Sequence, residues 1–366
     1  MADVFQLSNF FICTCKNKHM IQATFKKYIL QFKKPSGTSR GVMTEKETWF
    51  LILRENGKTG IGECGLLRGL SYDDVLDYSD KLQWVCDHIH LGEEALWEAL
   101  RSYPSIQFGI EQAFLSLQSE NPYILFPGRF TDSQKAIPIN GLIWMGNPDF
   151  MKEQIDEKLS NGFSCVKLKI GAIDFDREME LIRYIRSRYS PEIMEIRVDA
   201  NGGFDVSNAL YKLNQLSEFK LHSIEQPIKA KQYDSMAELC ENTPFPIALD
   251  EELIGVLNFN DKENLLLKIR PQYIILKPSL VGGFKGCEEW IALAEKYGIG
   301  WWITSALESN IGLNAIAQWT FTLENDMPQG LGTGALYTNN IASPLVVQNG
   351  HLWYDGTLDW DASFLE

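Results

Sequence analysis

The chain has 366 residues, 45% of them hydrophobic and 22% charged, the composition of an ordinary water-soluble protein with enough apolar sequence for one large domain and a smaller one. Its formal net charge of −14 argues against nucleic acid or an anionic membrane surface as the main partner, since either would repel it at long range; a small molecule or a cation fits better. No run approaches the roughly 18 apolar residues of a membrane-crossing helix, and seven cysteines, odd in number and without paired metal-binding spacing, point to reduced thiols in a cytoplasm.

Residues 1–20 read as an N-terminal extension. Phe10-Phe11-Ile12 lacks the basic start and small-residue cleavage site of a signal peptide, and Met20, directly before the first convincing strand, is an alternative natural start. From residue 21 the pattern predicts an antiparallel meander: strands at 23–32, 48–54 and from 59 onward, with turns at Pro35-Ser36-Gly37 and Asn56-Gly57. Ser71 then caps a largely helical stretch, from 72 to about 119, broken at Pro104. Together these make a small α+β domain over 21–134. Past Pro138-Ile139-Asn140-Gly141 the rhythm becomes short strand, turn, helix, with helices predicted at 148–161, 174–189, 206–216, 235–243, 259–269, 283–297 and 311–323. Strands separated by such helices form a parallel sheet with right-handed crossovers, and at least seven units without a doubly wound order predict a (β/α) barrel over 135–343. The tail, 344–366, carries another hairpin about Asn349-Gly350 that returns to the first domain.

Five of the barrel strands end on charge. Val166-Lys167-Leu168-Lys169, Ile196-Arg197-Val198-Asp199, Ser223-Ile224-Glu225, Ala248-Leu249-Asp250 and Ile274-Ile275-Leu276-Lys277 place their last residues 30, 26, 25 and 27 positions apart, about one strand, one helix and two loops each. Side chains alternate along a strand, so Lys167 and Lys169, Arg197 and Asp199, Ser223 and Glu225, and Ala248 and Asp250 face the barrel interior. Val166, Leu168, Val198, Ile224 and Leu249 face the helix layer. Three acids on successive strands would repel one another in a partly dry mouth without a counter-ion. Oxygen ligands with no His or Cys favour Mg²⁺ over zinc, so Asp199, Glu225 and Asp250 are the candidate ligands of one divalent ion, with Mn²⁺ as an alternative. Lys167 beside Lys169, together with the ion, would lower the pKa of Lys169 and make it a base, with Lys277 on the other side. A carboxylate substrate held by the metal has an acidified α-proton, so the predicted chemistry is proton abstraction next to a carboxylate, on a small molecule.

These segments resemble the enolase superfamily, in its muconate-lactonizing-enzyme-like subgroup, a standard example of a lysine or histidine base working with Mg²⁺ on an enediolate. Lys167-Leu168-Lys169 matches its Lys-x-Lys motif; Asp199-Ala200-Asn201, Glu225-Gln226-Pro227 and Asp250-Glu251 match its ligand segments; Lys277-Pro278-Ser279 matches its sixth-strand lysine. The resemblance implies a modified (β/α)8 barrel, (β/α)7β, under an α+β capping domain. Glu63-Cys64-Gly65-Leu66-Leu67, the run 305–312 from Ser305 to Gly312, and Gly330-Leu331-Gly332-Thr333-Gly334 are similar to the o-succinylbenzoate synthase family. Members dehydrate 2-succinyl-6-hydroxy-2,4-cyclohexadiene-1-carboxylate on the route to menaquinone. By this resemblance Lys169 removes the α-proton and returns it to the departing hydroxyl, Lys277 stabilises the enediolate from the opposite face, and Lys167 supports Lys169 and the substrate carboxylate. Arg197 and Asn201 are candidates for orienting ligands or substrate, although Arg197 would equally pair with Glu225 or Asp250. Ser305 and the backbone at Gly332 are candidates for the succinyl carboxylate. Residues 35–41, including the candidate contact Arg40, have the composition of a flap over the barrel mouth, and equally that of an exposed hairpin turn.

The main rival is a racemase or epimerase on the same scaffold, for N-succinylamino acids or dipeptides, with Lys169 and Lys277 as opposed acid and base. Dipeptide epimerases of the subgroup carry Asp-x-Asp on the eighth strand, where this chain has Leu331-Gly332-Thr333. A non-catalytic barrel is disfavoured because neither lysine is lost, and a zinc hydrolase because no histidine ends a strand with the right parity. An assembly of identical copies is left open.

Overall fold

The computed structural model describes residues 21–38, 41–171 and 174–365. The first unit is a three-stranded antiparallel sheet, β1 (Gln22–Thr38), β2 (Gly41–Glu55) and β3 (Lys58–Cys64), followed by helices α1 (Tyr78–Asp87), α2 (Glu93–Ala99) and α3 (Pro104–Gln118). Pro104 occupies the first turn of α3, where its missing N–H costs nothing. The expected turn at Pro35-Ser36-Gly37 is not there. A register irregularity between Gln31 and Ser36 absorbs the extra residues and the ladder runs on to Thr38 opposite Gly41. The N-terminal extension and Arg40 lie outside the described residues.

Strand β3 is one edge of that sheet, and α3 covers it. The Ile61 N–H donates to Ser116 Oγ (2.9 Å) and the Glu63 N–H to Gln112 Oε1 (3.3 Å), so side chains of the helix replace a missing neighbour strand. The approach is possible because glycines meet there: a Cβ at Gly62 would run into the Gly109 carbonyl and one at Gly60 into the Ala113 carbonyl. Gly62→Ala is therefore expected to lower stability by about 2 kcal/mol or more, from forced separation of strand and helix. Urea denaturation checks it, and a change within about 0.5 kcal/mol would mean that the backbones do not touch.

After β4 (Ile137–Pro138) come β5 (Gly141–Ile143), α4 (Pro148–Ser160), β6 (Cys165–Lys169), α5 (Phe175–Arg186), β7 (Glu195–Asp199), α6 (Val206–Ser217), β8 (Ser223–Glu225), α7 (Tyr233–Asn242) and β9 (Ile247–Leu249). The run continues with α8 (Phe259–Ile269), β10 (Tyr273–Leu276), α9 (Pro278–Val281), α10 (Gly283–Lys296), β11 (Gly300–Ile303) and α11 (Asn310–Thr322). Strands β5 to β11 form one parallel sheet in sequence order. Residues 329–330 close it by parallel bridges, Ile139 to Gln329 and Thr304 to Gly330, so the eighth strand of the barrel is reduced to two residues without a helix after it. This is the modified (β/α)7β barrel. The parity read from the sequence holds: Val166, Leu168, Ile196, Val198, Ile224 and Leu249 are buried in the cluster shared with the helices, while Ala248, Ile275 and Trp302 pack together inside the barrel.

That inner cluster forms a floor. Tyr273 packs 5.5 Å from Trp302 and 5.0 Å from His222, and the Arg197 guanidinium lies 4.3 Å over the Trp302 ring. The C-terminal strands β12 (Leu345–Gln348) and β13 (His351–Tyr354) form the expected hairpin, turning at Asn349 and Gly350 with φ of 51° and 68°, and β13 pairs with β4. The tail then packs on the first sheet: the Phe364 ring lies 4.9 Å from that of Phe50, tilted by 57°, and its carbonyl accepts from Lys26 Nζ at 2.9 Å. Among the described residues no helix is long and apolar enough to cross a membrane.

Candidate active site

Register puts the charged strand ends side by side. Lys169 pairs with Asp199 and Asp199 with Glu225 across β6, β7 and β8; Asp250 follows the end of β9, and Lys277 the end of β10. Adjacent strands are about 4.8 Å apart, which makes these neighbours in one row. Lys169 Nζ donates to Asp199 Oδ2 at 2.5 Å and to Asn201 Oδ1 at 2.8 Å. Lys167 Nζ lies 3.0 Å from Asp199 Oδ2 and against Glu225; Lys277 Nζ donates to Asp250 and stands 3.9 Å from Glu225 Oε1. All six side chains are buried or nearly so.

Burial alone would neutralise these groups, and their mutual charges decide which stay ionised. For Asp199, burial is outweighed by Lys167 and Lys169, which hold it well below the usual carboxylate range. Asp250 is likewise held low against burial, by Lys277. Burial would lower Lys167, but Asp199 and Glu225 raise it; Lys277 is raised in the same way by Asp250 and Glu225. Glu225 is the exception, pushed far up by burial and then by Asp199. Neither of its oxygens makes a well-directed hydrogen bond. As placed, no three acidic, histidine or cysteine side chains among the described residues gather about one centre, because lysine ammoniums lie between the carboxylates. An all-oxygen donor set, one of whose buried carboxylates has neither oxygen in a hydrogen bond, nonetheless fits a hard divalent cation.

The loops after the strands hold the row in place. Asn201 takes a positive φ of 43°, and its side chain links Lys169 to Glu251 Oε1 (2.9 Å). Gln226, also left-handed at φ 40°, accepts from the N–H groups of Asp250 (3.2 Å) and Glu252 (3.3 Å) and donates to Glu252 Oε2 (2.9 Å). It therefore ties the end of β8 to the end of β9. In the sequence Gln226 is named only as part of the segment Glu225-Gln226-Pro227, without a role of its own, and Glu252 is not named. On the far side Ser279 Oγ, two residues beyond Lys277, donates to the buried Glu308 at 2.5 Å. Lys46 of β2 is buried nearby, lowered by burial and opposed by the charges of Glu63 and Glu308.

A cavity of about 90 Å³ opens over the row, lined by Lys167, Lys169, Lys277, Asn201 and Ser305, with Met43, Leu67 and Leu70 of the first unit across it. The backbone at Gly332 lines it too, beside Ile139 and the Asn140 carbonyl. The Ser305 hydroxyl shares a hydrogen bond of 2.6 Å with Thr333, another lining residue not singled out in the sequence. Arg197 is a correction. Its inward parity holds, but the side chain turns down to the floor, where Nε donates to Glu195 (2.6 Å) and Nη1 to the Pro328 carbonyl (2.9 Å), and it is not among the cavity-lining residues. In this arrangement it pairs with neither Glu225 nor Asp250. A carboxylate at the start of its own strand outcompeted those at the mouth.

The model of the enolase C-terminal domain-like family matches residues 150–356. The o-succinylbenzoate synthase of Desulfotalea psychrophila is 48% identical over 91% of this chain and 98% of its own length. The crystal structure of MenC from Desulfotalea psychrophila superposes with a TM-score of 0.81 at 44% identity, covering 91% of this chain and 99% of that one. An N-succinylamino acid racemase from Amycolatopsis is 25% identical over 87% of this chain and 88% of its length. The chain belongs to the enolase superfamily, in the family of its o-succinylbenzoate synthase relative.

Proposed function

We propose that this chain is an o-succinylbenzoate synthase, a lyase that removes water from 2-succinyl-6-hydroxy-2,4-cyclohexadiene-1-carboxylate. The observation that carries the reading is that Lys169 and Lys277 bracket the row Asp199, Glu225, Asp250 in a chain 48% identical to an enzyme of that name. Asp199, Glu225 and Asp250 would hold one Mg²⁺, with Mn²⁺ as a substitute. That ion, when bound, supplies positive charge that acidifies the α-proton of a coordinated carboxylate.

The protein's own groups do the rest. Lys169, as the free amine, takes the α-proton; the C–H electron pair moves to the enediolate and then into the ring as the C–O bond breaks; the proton returns from Lys169 to the departing hydroxyl, which leaves as water. Delivery and return by one lysine make this a syn elimination. Lys277, on the other side, remains an ammonium and balances charge on the enediolate. Lys167 keeps the Asp199–Glu225 end of the row partly neutral. Asn201 aims the Lys169 amine. Ser305 and the backbone at Gly332 face the succinyl end.

The test is incubation of purified protein and Mg²⁺ with the cyclohexadiene substrate, followed by absorbance of the aromatic product. Dehydration that disappears on chelation by EDTA and returns with Mg²⁺ or Mn²⁺ is the expected outcome. Exchange of the α-proton of N-succinylamino acids in D₂O without any dehydration would replace this reading by a racemase. The buried, unpaired Cys64, Cys165, Cys240 and Cys287 suit a reducing cytoplasm.

A further inference from the structure

A second chamber of about 560 Å³, several times the reacting cavity's 90 Å³, lies directly against that cavity. The two share Asn140, Leu142, Trp144, Gly332 and Thr333 as a common wall. Pockets that enclose a ligand of this size are typically about 300–1,000 Å³, so the small cavity holds only the reacting end of a molecule and the chamber supplies the rest of the space. Three lysines line the chamber, Lys33 and Lys34 from β1 and Lys158 from α4, against one carboxylate, Glu157, which Lys158 contacts at 2.9 Å. Two of the ammoniums rest on aromatic faces, Lys34 5.8 Å from the Phe150 ring and Lys158 5.7 Å from the Phe163 ring.

A chain of net charge −14 repels a dianion at long range, and a concave surface with excess positive charge reverses that field locally. We propose that this chamber is an entry subsite that binds the dicarboxylate substrate, and the aromatic dicarboxylate product on its way out, with Lys33, Lys34 and Lys158 as its anion-binding groups. The inference rests on the functional reading above for the identity of the dianion. It adds a second binding position outside the row of reacting groups.

Lys33 and Lys34 are exposed, so the double variant Lys33→Glu/Lys34→Glu should fold. Its kcat/KM is expected to fall about tenfold in dilute buffer with kcat unchanged, and the deficit to shrink in about 0.5 M KCl as the charges are screened. Ala335→Trp, at a residue that lines the chamber and is not among those lining the reacting cavity, is expected to raise KM at any salt concentration. Calorimetric titration with o-succinylbenzoate in Mg²⁺ should show weaker binding by both variants, and this readout stands even if the wild-type protein fails to dehydrate, a result that would remove the functional reading alone. Wild-type binding and kcat/KM in both variants, or a loss confined to kcat, would overturn the chamber's role.

Discussion

Lys169→Ala is expected to lower kcat for dehydration by about a thousandfold or more, at the upper part of what a positioned acid–base group contributes, while KM changes little. The fold should survive. Asp199 keeps the Lys167 ammonium 3.0 Å away when Lys169 is gone, so no buried carboxylate is stranded. Lys277→Ala is expected to cost about a hundredfold or more by removing charge stabilisation, and it should leave α-proton exchange measurable when Lys169→Ala does not. Single-turnover formation of the aromatic product and hydrogen exchange in D₂O separate the two. Dehydration near the wild-type rate in Lys169→Ala would sink the assignment of the base, whatever the fate of Lys277.

Glu63→Ala should have the largest effect on stability, about 3–5 kcal/mol. Four donors converge on that carboxylate from both sides of the seam between sheet and barrel: Thr48 Oγ1 at 2.7 Å, the Ser309 N–H at 2.9 Å, Ser309 Oγ at 2.5 Å and the Gly312 N–H at 2.8 Å. Glu63 therefore supplies negative charge to the first turn of α11, a helix it does not belong to. Each buried donor left without an acceptor costs about 1–3 kcal/mol, and the buried Lys46 ammonium loses an opposing charge as well. Glu63→Gln should lose less, since one oxygen still accepts. Urea unfolding followed by circular dichroism measures both; a shift below about 1 kcal/mol for the alanine variant would show that water replaces the carboxylate freely.

What the sequence made legible follows from the period of a strand. Alternation alone assigned Val166, Leu168 and Val198 to the helix layer and Lys169, Asp199 and Glu225 to the interior, because a two-residue repeat leaves no third direction. The helix predicted over 148–161 ends at Ser160, one residue early, and the one predicted over 259–269 has those limits. The fate of Arg197 was not legible. Parity gives the face on which a side chain starts, but a long guanidinium reaches up or down the barrel according to which carboxylate is nearer, and Glu195 decides that only in three dimensions. The turn predicted at Pro35 failed for a related reason, since an irregularity in the ladder lets a strand continue past residues that favour turns. Contacts such as Gln226 to Glu252, or Glu63 to Ser309, join residues whose side chains carry no periodic signal, and only the fold reveals them.

Among the described residues, the packed floor of Trp302, Tyr273, His222 and Arg197 closes the barrel below the row of reacting groups, which leaves its mouth as the way in and out. On dehydration the aromatic dianion and the water formed with it must leave by the route that the substrate used to enter, and the next substrate cannot load until they have gone. Departure and loading are then successive events on one path. A tighter hold on anions near that opening hastens capture and delays release, so the turnover rate has an optimum in anion affinity, beyond which added positive charge at the mouth slows the enzyme.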